Sequence, residues 1–98
     1  MIHVAREALD DLDRIIDFNE ATQPGTARRH LALIREAVLV LERHPDIGRP
    51  IGRGETLREL VISRGATGYV ALYEHAPAMG IVRVVAIRHQ REAGFRES

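Results

Sequence analysis

Apolar residues recur at helical spacing in two stretches of the chain. In the first stretch they fall at i, i+4, i+7 and i+11, and they are Ala5, Leu9, Leu12 and Ile16, joined by Ala8 and Ile15. Acidic residues occupy the other positions, so we predict an amphipathic helix with an apolar stripe on the core and acids in solvent. The turn signal Pro24-Gly25 lies beyond it, which places the end of this helix near Asn19 or Glu20.

The second stretch has a wider apolar stripe. Its positions are Ala27, Leu31, Ile34, Val38 and Leu41, widened by Leu33, Ala37 and Val40. This spacing predicts a second helix that begins within residues 24–27 and is more buried than the first. The helix should end before Pro45, because the residue before a proline is pushed out of helical geometry.

Three strand-like segments follow a loop at residues 44–56, in which prolines and glycines disfavour strand pairing. The segments are 57–64, 68–76 and 80–90. Their short links predict consecutive antiparallel hairpins, and the last segment is apolar on both faces, so it should lie inside the sheet. With a short first strand at residues 1–4, the order is (β)ααβββ. We therefore predict an α+β fold, a helical hairpin packed on one face of a small twisted antiparallel β-sheet.

Length and composition fit one small domain, and we expect it to span residues 1–98. The chain is 45% hydrophobic and 29% charged, which is typical of a soluble globular protein. No apolar stretch is long enough for a membrane helix, and the first residues lack the apolar run of a signal peptide, so a cytoplasmic location is expected. The absence of cysteine excludes disulfides and thiolate chemistry.

Charge is unevenly distributed along the chain. The net charge is zero, but residues 1–24 contain two arginines and six acids, whereas residues 25–98 contain twelve arginines and eight acids. Every basic residue is arginine, and its planar fork suits carboxylate or phosphate partners, although codon usage explains the same bias. A neutral chain does not favour a nucleic-acid-binding protein.

Residues that commonly build catalytic or metal sites show no paired spacing. The histidines are His3, His30, His44, His75 and His89. They lack the spacing of metal ligands, so we expect structural or surface histidines and neither metal nor cofactor. Asp10, Asp11 and Asp13 are expected on the solvated face of the first helix. Tyr69 and Tyr73 share a strand face, and at least one should lie in the core.

The densest group of polar side chains is RHQREAGF, residues 88–95. Cleavage of RNA without a metal needs a proton acceptor, a proton donor and a cation for the phosphate, and Arg88, His89 and Arg91 supply these groups. The same residues equally fit a strand end that leaves the core and meets solvent at Arg88. Residue types alone leave both interpretations open.

Several segments together carry a resemblance to a known family. They are EALDDLDRIIDF in the first helix, ERHPDIGRP after the second, LRELVI, GYVALYE, and IVRVVAIRHQREAGF at the end. In this combination nearly the whole chain resembles the RelE/ParE superfamily of toxins from type II toxin–antitoxin systems. The resemblance implies two helices against a twisted antiparallel sheet. It also implies one of two activities, since RelE-like members cut messenger RNA in the ribosomal A site and ParE-like members poison DNA gyrase.

The resemblance is closer to ParE, because residues that RelE-like nucleases use are depleted here. Those nucleases have a key arginine in a GYR-type motif, where this chain has Val70, and lysines in the preceding strand, where LRELVI has none. Some use a tyrosine near the C-terminus, where this chain has Phe95. His89 and Arg91 still match the histidine or arginine that some nuclease members use. The long first helix and the segment HPDIGRP also resemble ParE.

The ParE resemblance implies a plasmid- or chromosome-stabilising toxin that inhibits DNA gyrase and is neutralised by a cognate antitoxin. The candidate target-contact residues are Arg64, Arg88, His89, Arg91 and Phe95, and none of them is catalytic in this interpretation. The antitoxin should join the toxin in a hetero-oligomer through an amphipathic helix or an added strand, and DNA should be contacted only through it. Two alternatives stay open. One is a RelE-like ribosome-dependent mRNA endoribonuclease with His89 and Arg91 as catalytic residues, and the other is a non-toxic homologue that only binds antitoxin.

Overall fold

The computed structural model of the chain describes residues 1–52, 56–62 and 68–89. Within them the order of elements is β1 (Ile2–Val4), α1 (Arg6–Thr22), α2 (Ala27–Arg43), β2 (Arg49–Pro50), β3 (Leu57–Val61), β4 (Tyr69–Ala76) and β5 (Ile81–His89). A single 3₁₀ turn, Pro77–Met79, joins β4 to β5. Neither helix in these ranges is both long enough and apolar enough to cross a membrane.

Both predicted helices form, and their bounds differ little from the prediction. α1 continues two residues past Glu20, and α2 begins at Ala27 and stops at Arg43, before Pro45. Gly25 in the turn between them has a φ of 87°. This left-handed backbone is accessible to glycine without strain, so the turn signal in the sequence has a direct structural cause.

The buried face of α1 is rotated from the predicted apolar stripe. Its buried residues are Ala8, Asp11, Ile15 and Asn19. Leu9, which was predicted to be on the stripe, is 50% exposed. The prediction that Asp11 lies on the solvated face is wrong, because its carboxylate finds partners on the sheet, whereas Asp10 and Asp13 are exposed as predicted.

α2 does not bury more residues than α1, contrary to the prediction. It buries Ala27, His30, Ile34 and Leu41, the same number as α1. Leu33 and Val40 were predicted to widen the buried stripe, but they are 40% and 39% exposed. The outer margin of this helix therefore presents apolar side chains to solvent.

The strands form one mixed sheet in the order β1-β5-β4-β3-β2. The neighbours β2 to β5 are antiparallel, as the short links predict, but β1 pairs with β5 in parallel. A parallel neighbour needs a long connection, and the helical hairpin is part of it. The loop prediction for residues 44–56 is wrong at Arg49–Pro50, which pairs with Arg58 and Glu59, because an edge strand tolerates proline. The α+β class and the interior position of β5 are confirmed.

The core lies between the helical hairpin and one face of the sheet. It includes Ala8, Ile15, Ile34, Leu41, Tyr69, Tyr73, Val82, Val84 and Ile87. Tyr69 and Tyr73 are both buried, which confirms the prediction for the tyrosines. The register shifts where Leu72 pairs with Ala86 and Tyr73 pairs with Val84, so Val85 is an extra residue in β5. A bulge of this kind lets Val84 and Ile87 face the same core, although strict alternation would separate them.

The segment HPDIGRP, residues 44–50, is held against the sheet. The Arg58 guanidinium donates hydrogen bonds to the carbonyl oxygens of Gly48 and Asp46, at 2.7 and 3.1 Å. The carboxylate of Asp46 lies 2.8 Å from His75 Nδ1, and Arg49 donates to Glu59 at 2.8 Å. These contacts fix the edge strand β2, so the motif has a structural role that its residue types did not indicate.

Candidate functional site

A buried carboxylate ties the end of β5 to α1. Asp11 is 8% exposed. Its Oδ2 accepts a hydrogen bond from the Ile87 backbone N–H at 2.9 Å and another from the Arg88 guanidinium. Its Oδ1 accepts from Arg14 Nη2 at 3.2 Å. Two cations and a backbone donor therefore compensate the carboxylate, which is the condition for burying such a charge.

The topology of the sheet brings Asp11 to this position. β1 ends at Val4, which pairs with Val84, and the N–H of Ala5 donates to the Val84 carbonyl at 2.9 Å. The chain then turns into α1, which packs against β5. Beyond Val84 the edge of β5 has no β1 residue beside it, and the backbone N–H of Ile87 is satisfied by a side chain of the helix. Asp11 thus supplies a hydrogen-bond acceptor to β5 beyond the point where its pairing with β1 ends.

A second polar cluster lies in the core beside the strand end. The Tyr69 hydroxyl is 2.8 Å from His30 Nδ1 and accepts a hydrogen bond from Asn19 Nδ2 at 3.2 Å. Asn19 Nδ2 also donates to the Ile15 carbonyl at 2.9 Å. The cluster therefore links α1, α2 and β4 through buried polar atoms.

His89 packs against this cluster from the sheet side. Its ring meets the Tyr69 ring edge to face, with centroids 5.7 Å apart and planes at 81°. On another side of Tyr69 the ring of His30 makes a similar contact at 5.6 Å. His89 as a whole residue is half-buried, and its ring is held by this aromatic contact.

Two of the five predicted target-contact residues lie together in the structure. Arg88 and His89 are consecutive at the end of β5, and the Arg88 side chain is only 24% exposed because it reaches Asp11. The predicted residues Arg64, Arg91 and Phe95 lie outside the described residues. The strand end is therefore bound to α1 at Arg88 and to the core at His89, rather than simply entering solvent at Arg88.

The residues that the sequence interpretation missed are Asp11, Arg14, Asn19 and His30. A signal for two of them exists in the sequence. Ala8, Asp11, Ile15 and Asn19 follow one another at intervals of three or four residues. This is the spacing of a single helix face. A helical pattern built from apolar residues alone does not predict that face, because half of its members are polar.

Metal binding finds no support in the described ranges. Among residues 1–52, 56–62 and 68–89, no three histidine, aspartate or glutamate side chains are grouped so that they could hold an ion. His75 and Asp46 are in contact, and Arg58 is the third group beside them, at 3.6 Å from the carboxylate. An arginine is not a metal ligand, so this cluster is best described as an ion-paired surface contact.

Comparison with known proteins extends over almost the entire chain. Residues 2–94 match the sequence model of the family described as ParE toxin of type II toxin-antitoxin system, parDE. Toxin RelE3 of Caulobacter vibrioides is 32% identical over 91 residues, which cover 93% of this chain and 95% of that protein. The two matches agree on the superfamily and differ in the branch that their names indicate.

Solved structures confirm the fold. The chain resembles a chain of the chromosomal ParDE TA system from P. aeruginosa with a TM-score of 0.74 and 23% identity, covering 90% of this chain and 92% of that one. It resembles a chain of the toxin–antitoxin complex RelBE2 from Mycobacterium tuberculosis with a TM-score of 0.66 and 22% identity, covering 92% and 96%. Given the family match over residues 2–94, the chain belongs to the ParE toxin family of the RelE/ParE superfamily, the toxins of type II toxin–antitoxin systems.

Proposed function

We propose that this toxin inhibits DNA gyrase and is held inactive by a cognate antitoxin. The observation that carries the proposal is that Val70 is apolar and buried. The resemblance to RelE-like nucleases implies a key arginine at this position, but Val70 is apolar and only 3% exposed. A buried apolar side chain cannot stabilise the charge that develops on a phosphate during RNA cleavage.

An arginine that pairs with that position across the sheet is already engaged. Arg88 pairs with Val70 across the β4–β5 ladder, and its guanidinium binds the buried carboxylate of Asp11. Withdrawing one partner from a buried ion pair costs about 3–5 kcal/mol, because the other charge is left uncompensated. Arg88 is therefore better placed to hold the strand end than to bind an RNA phosphate.

We propose that gyrase contacts the toxin at the C-terminal end of β5. The candidates remain Arg64, Arg88, His89, Arg91 and Phe95. Within the described part, His89 is expected to contribute more than Arg88, because the Arg88 guanidinium is engaged by the Asp11 carboxylate. In this proposal none of the five is catalytic, and neither a metal nor a cofactor takes part.

The antitoxin is proposed to cover apolar side chains that the toxin leaves in solvent. Leu33 and Val40 lie seven residues apart on α2, on the same side of the helix, and are 40% and 39% exposed. An amphipathic antitoxin helix fits such a stripe, and its acidic residues would suit the arginine-rich part of this chain. DNA would be contacted only by the antitoxin within the hetero-oligomer. We place the complex in the cytoplasm, with residues 1–98 acting as one domain.

The test is a gyrase supercoiling and cleavage assay with antitoxin-free toxin, run beside a ribosome-programmed mRNA cleavage assay. The proposal expects gyrase inhibition with intact mRNA, and recovery of gyrase when antitoxin is added back. Cut mRNA with unaffected gyrase would overturn it. A chain that causes no growth arrest when expressed would instead be a non-toxic homologue that only binds antitoxin.

A second candidate is a ribosome-dependent mRNA endoribonuclease. It is favoured by the relative named Toxin RelE3 and by the partial exposure of His89 at the end of β5. Here His89 would transfer protons and Arg91 would face the phosphate. His89→Ala and Arg91→Ala should each abolish mRNA cleavage in that case. The gyrase assay should then show no inhibition by the unmodified toxin.

A further inference from the structure

We infer that Asp11 is a positioning residue for the target-contacting end of β5, acting as one unit with Arg88. Its carboxylate fixes the path of β5 beyond the end of β1 and thereby the place of His89. The inference rests on the proposed role of this strand end in target contact. Asp11 itself touches no target in this account, since it is 8% exposed and its contacts described above are with this chain.

The edge of β5 that faces β1 is paired along only part of its length. β1 accompanies β5 only from Val82 to Val84. The extra residue Val85 follows directly, and a bulge bends its strand and interrupts the regular ladder. The strand therefore changes its path just where its neighbour on one side ends. The hydrogen bond from the Ile87 N–H to Asp11, at 2.9 Å, fixes the new path.

The charge of Asp11 suits this position better than a neutral asparagine would. An asparagine would also accept a hydrogen bond from the Ile87 N–H, and it would avoid the cost of burying a charge. Only a carboxylate can also compensate the cations of Arg88 and Arg14. Ile87 and Arg88 are consecutive, so bonds to both constrain the direction in which the chain reaches the next residue, His89.

α1 makes a second contact near the same strand end, through Asn19. Asn19, eight residues after Asp11 on the buried face of α1, bonds the hydroxyl of Tyr69, and the Tyr69 ring packs against His89. α1 thus holds the backbone before His89 through Asp11 and the ring that contacts His89 through Asn19. A group that must meet a partner surface works best when it is fixed in this way before binding.

The experiment compares four variants of the full chain: Asp11→Asn, Arg88→Gln, the double variant, and Asp10→Asn. The last is a matched control, because the exposed neighbour loses the same charge. We expect Asp11→Asn and Arg88→Gln each to lower toxic potency at least about tenfold, since small misplacements of a contact group have large effects. The double variant should lose no more than either single variant, because the two residues act together. Asp10→Asn should stay within about twofold of the unmodified toxin.

The same comparison separates positioning from direct contact. If Arg88→Gln lowers potency while Asp11→Asn does not, the Asp11 carboxylate does not position the strand end, and the inference is overturned. If both reduce potency but the double variant recovers it, Asp11 serves only to neutralise a buried cation, and the inference fails as well. Antitoxin affinity, measured on each variant, should remain within about twofold and shows that the variants are folded. If Asp11→Asn fails this check, Asp11→Glu, which retains the charge but shifts the carboxylate, takes its place in the comparison.

Failure of the proposed function would give a different result. An unmodified toxin that leaves gyrase active refutes the target, and the four variants are then compared in the mRNA cleavage assay or by growth arrest. If the unmodified chain has no toxic activity, NMR decides the inference. Asp11→Asn should then shift the Ile87 amide proton and the His89 ring protons, and Asp10→Asn should leave both unchanged. Unchanged His89 signals in Asp11→Asn would overturn the positioning role.

Discussion

Gly48 lies directly against the side chain of Tyr73, so closely that no side chain fits between them. The Gly48 N–H donates a hydrogen bond of 2.8 Å to the Tyr73 hydroxyl. A Cβ at residue 48 would stand 2.6 Å from that oxygen and 2.9 Å from the Glu59 carbonyl oxygen. This contact connects the segment HPDIGRP to the buried centre of β4, and it explains why a glycine stands between Ile47 and Arg49.

Gly48→Ala should therefore destabilise the fold. The added methyl group must push away both a fully buried aromatic ring and the backbone of β3, and overpacking of this kind costs about 1–3 kcal/mol. Urea unfolding followed by circular dichroism measures the difference. Ala78→Gly, a change of the same size at an exposed turn residue, is the control and should have a smaller effect. Equal effects of the two changes would contradict the close contact.

The Tyr73 hydroxyl makes the free energy of unfolding fall at alkaline pH. Burial raises the pKa of Tyr73 above its ordinary value of 10.0, and the hydrogen bond from Gly48 and the Arg58 charge only partly oppose this. The folded protein therefore holds the phenolic proton more tightly than the unfolded chain does. This contribution is fully present below the unfolded pKa and is lost as the pH rises through the raised pKa.

We expect Tyr73→Phe to remove part of that alkaline loss. At neutral pH the variant should be less stable by about 1–3 kcal/mol, because the buried Gly48 N–H loses its acceptor. As the pH rises above the ordinary pKa of 10.0, the stability of the unmodified protein should fall more steeply than that of the variant. Urea midpoints across this range give the two slopes. Equal slopes would mean that the pKa of the Tyr73 hydroxyl is the same in the folded and the unfolded chain.

Removal of the Asp11 carboxylate should destabilise the protein strongly. Asp11→Ala leaves the Ile87 N–H without its acceptor and the partly buried Arg88 without its counter-ion. Breaking such a pair by removing one partner costs about 3–5 kcal/mol. Asp13→Ala, on the exposed face of the same helix, should change stability by less than about 0.5 kcal/mol. A small effect of Asp11→Ala in thermal unfolding would show that solvent replaces these contacts.

The parts of this structure that follow from the sequence are those with local causes. The helical hairpin follows from apolar spacing and from Pro24, Gly25 and Pro45, and the β3–β4–β5 hairpins follow from their short links. The parallel pairing of β1 and the extra residue Val85 do not, because both depend on partners distant in sequence. The prediction of a solvated Asp11 is wrong for the same reason, since its hydrogen-bond partner Ile87 lies 76 residues away. A polar residue on a helix face looks solvated until the sheet supplies its donor.

The exposed margin of α2 yields a prediction about the antitoxin. Leu33 and Val40 lie on the same side of the helix. Leu39 is exposed as well, but its side chain is rotated from that of Val40 by about 100° around the helix axis. A charge on the covered side would have to be buried in the complex without a partner, which is costly. Leu33→Asp and Val40→Asp should each weaken antitoxin binding at least about tenfold, and Leu39→Asp should change it little.

Binding is best measured by titrating tagged antitoxin with each toxin variant at fixed salt. All three substitutions add one negative charge to the same helix, so a general repulsion of an acidic antitoxin would lower the three affinities equally. Selective loss at Leu33 and Val40 is therefore the signature of apolar contact on that side. If Leu39→Asp abolishes binding and the other two variants bind normally, the antitoxin covers the side of α2 that Leu39 faces, and the side with Leu33 and Val40 is not its contact.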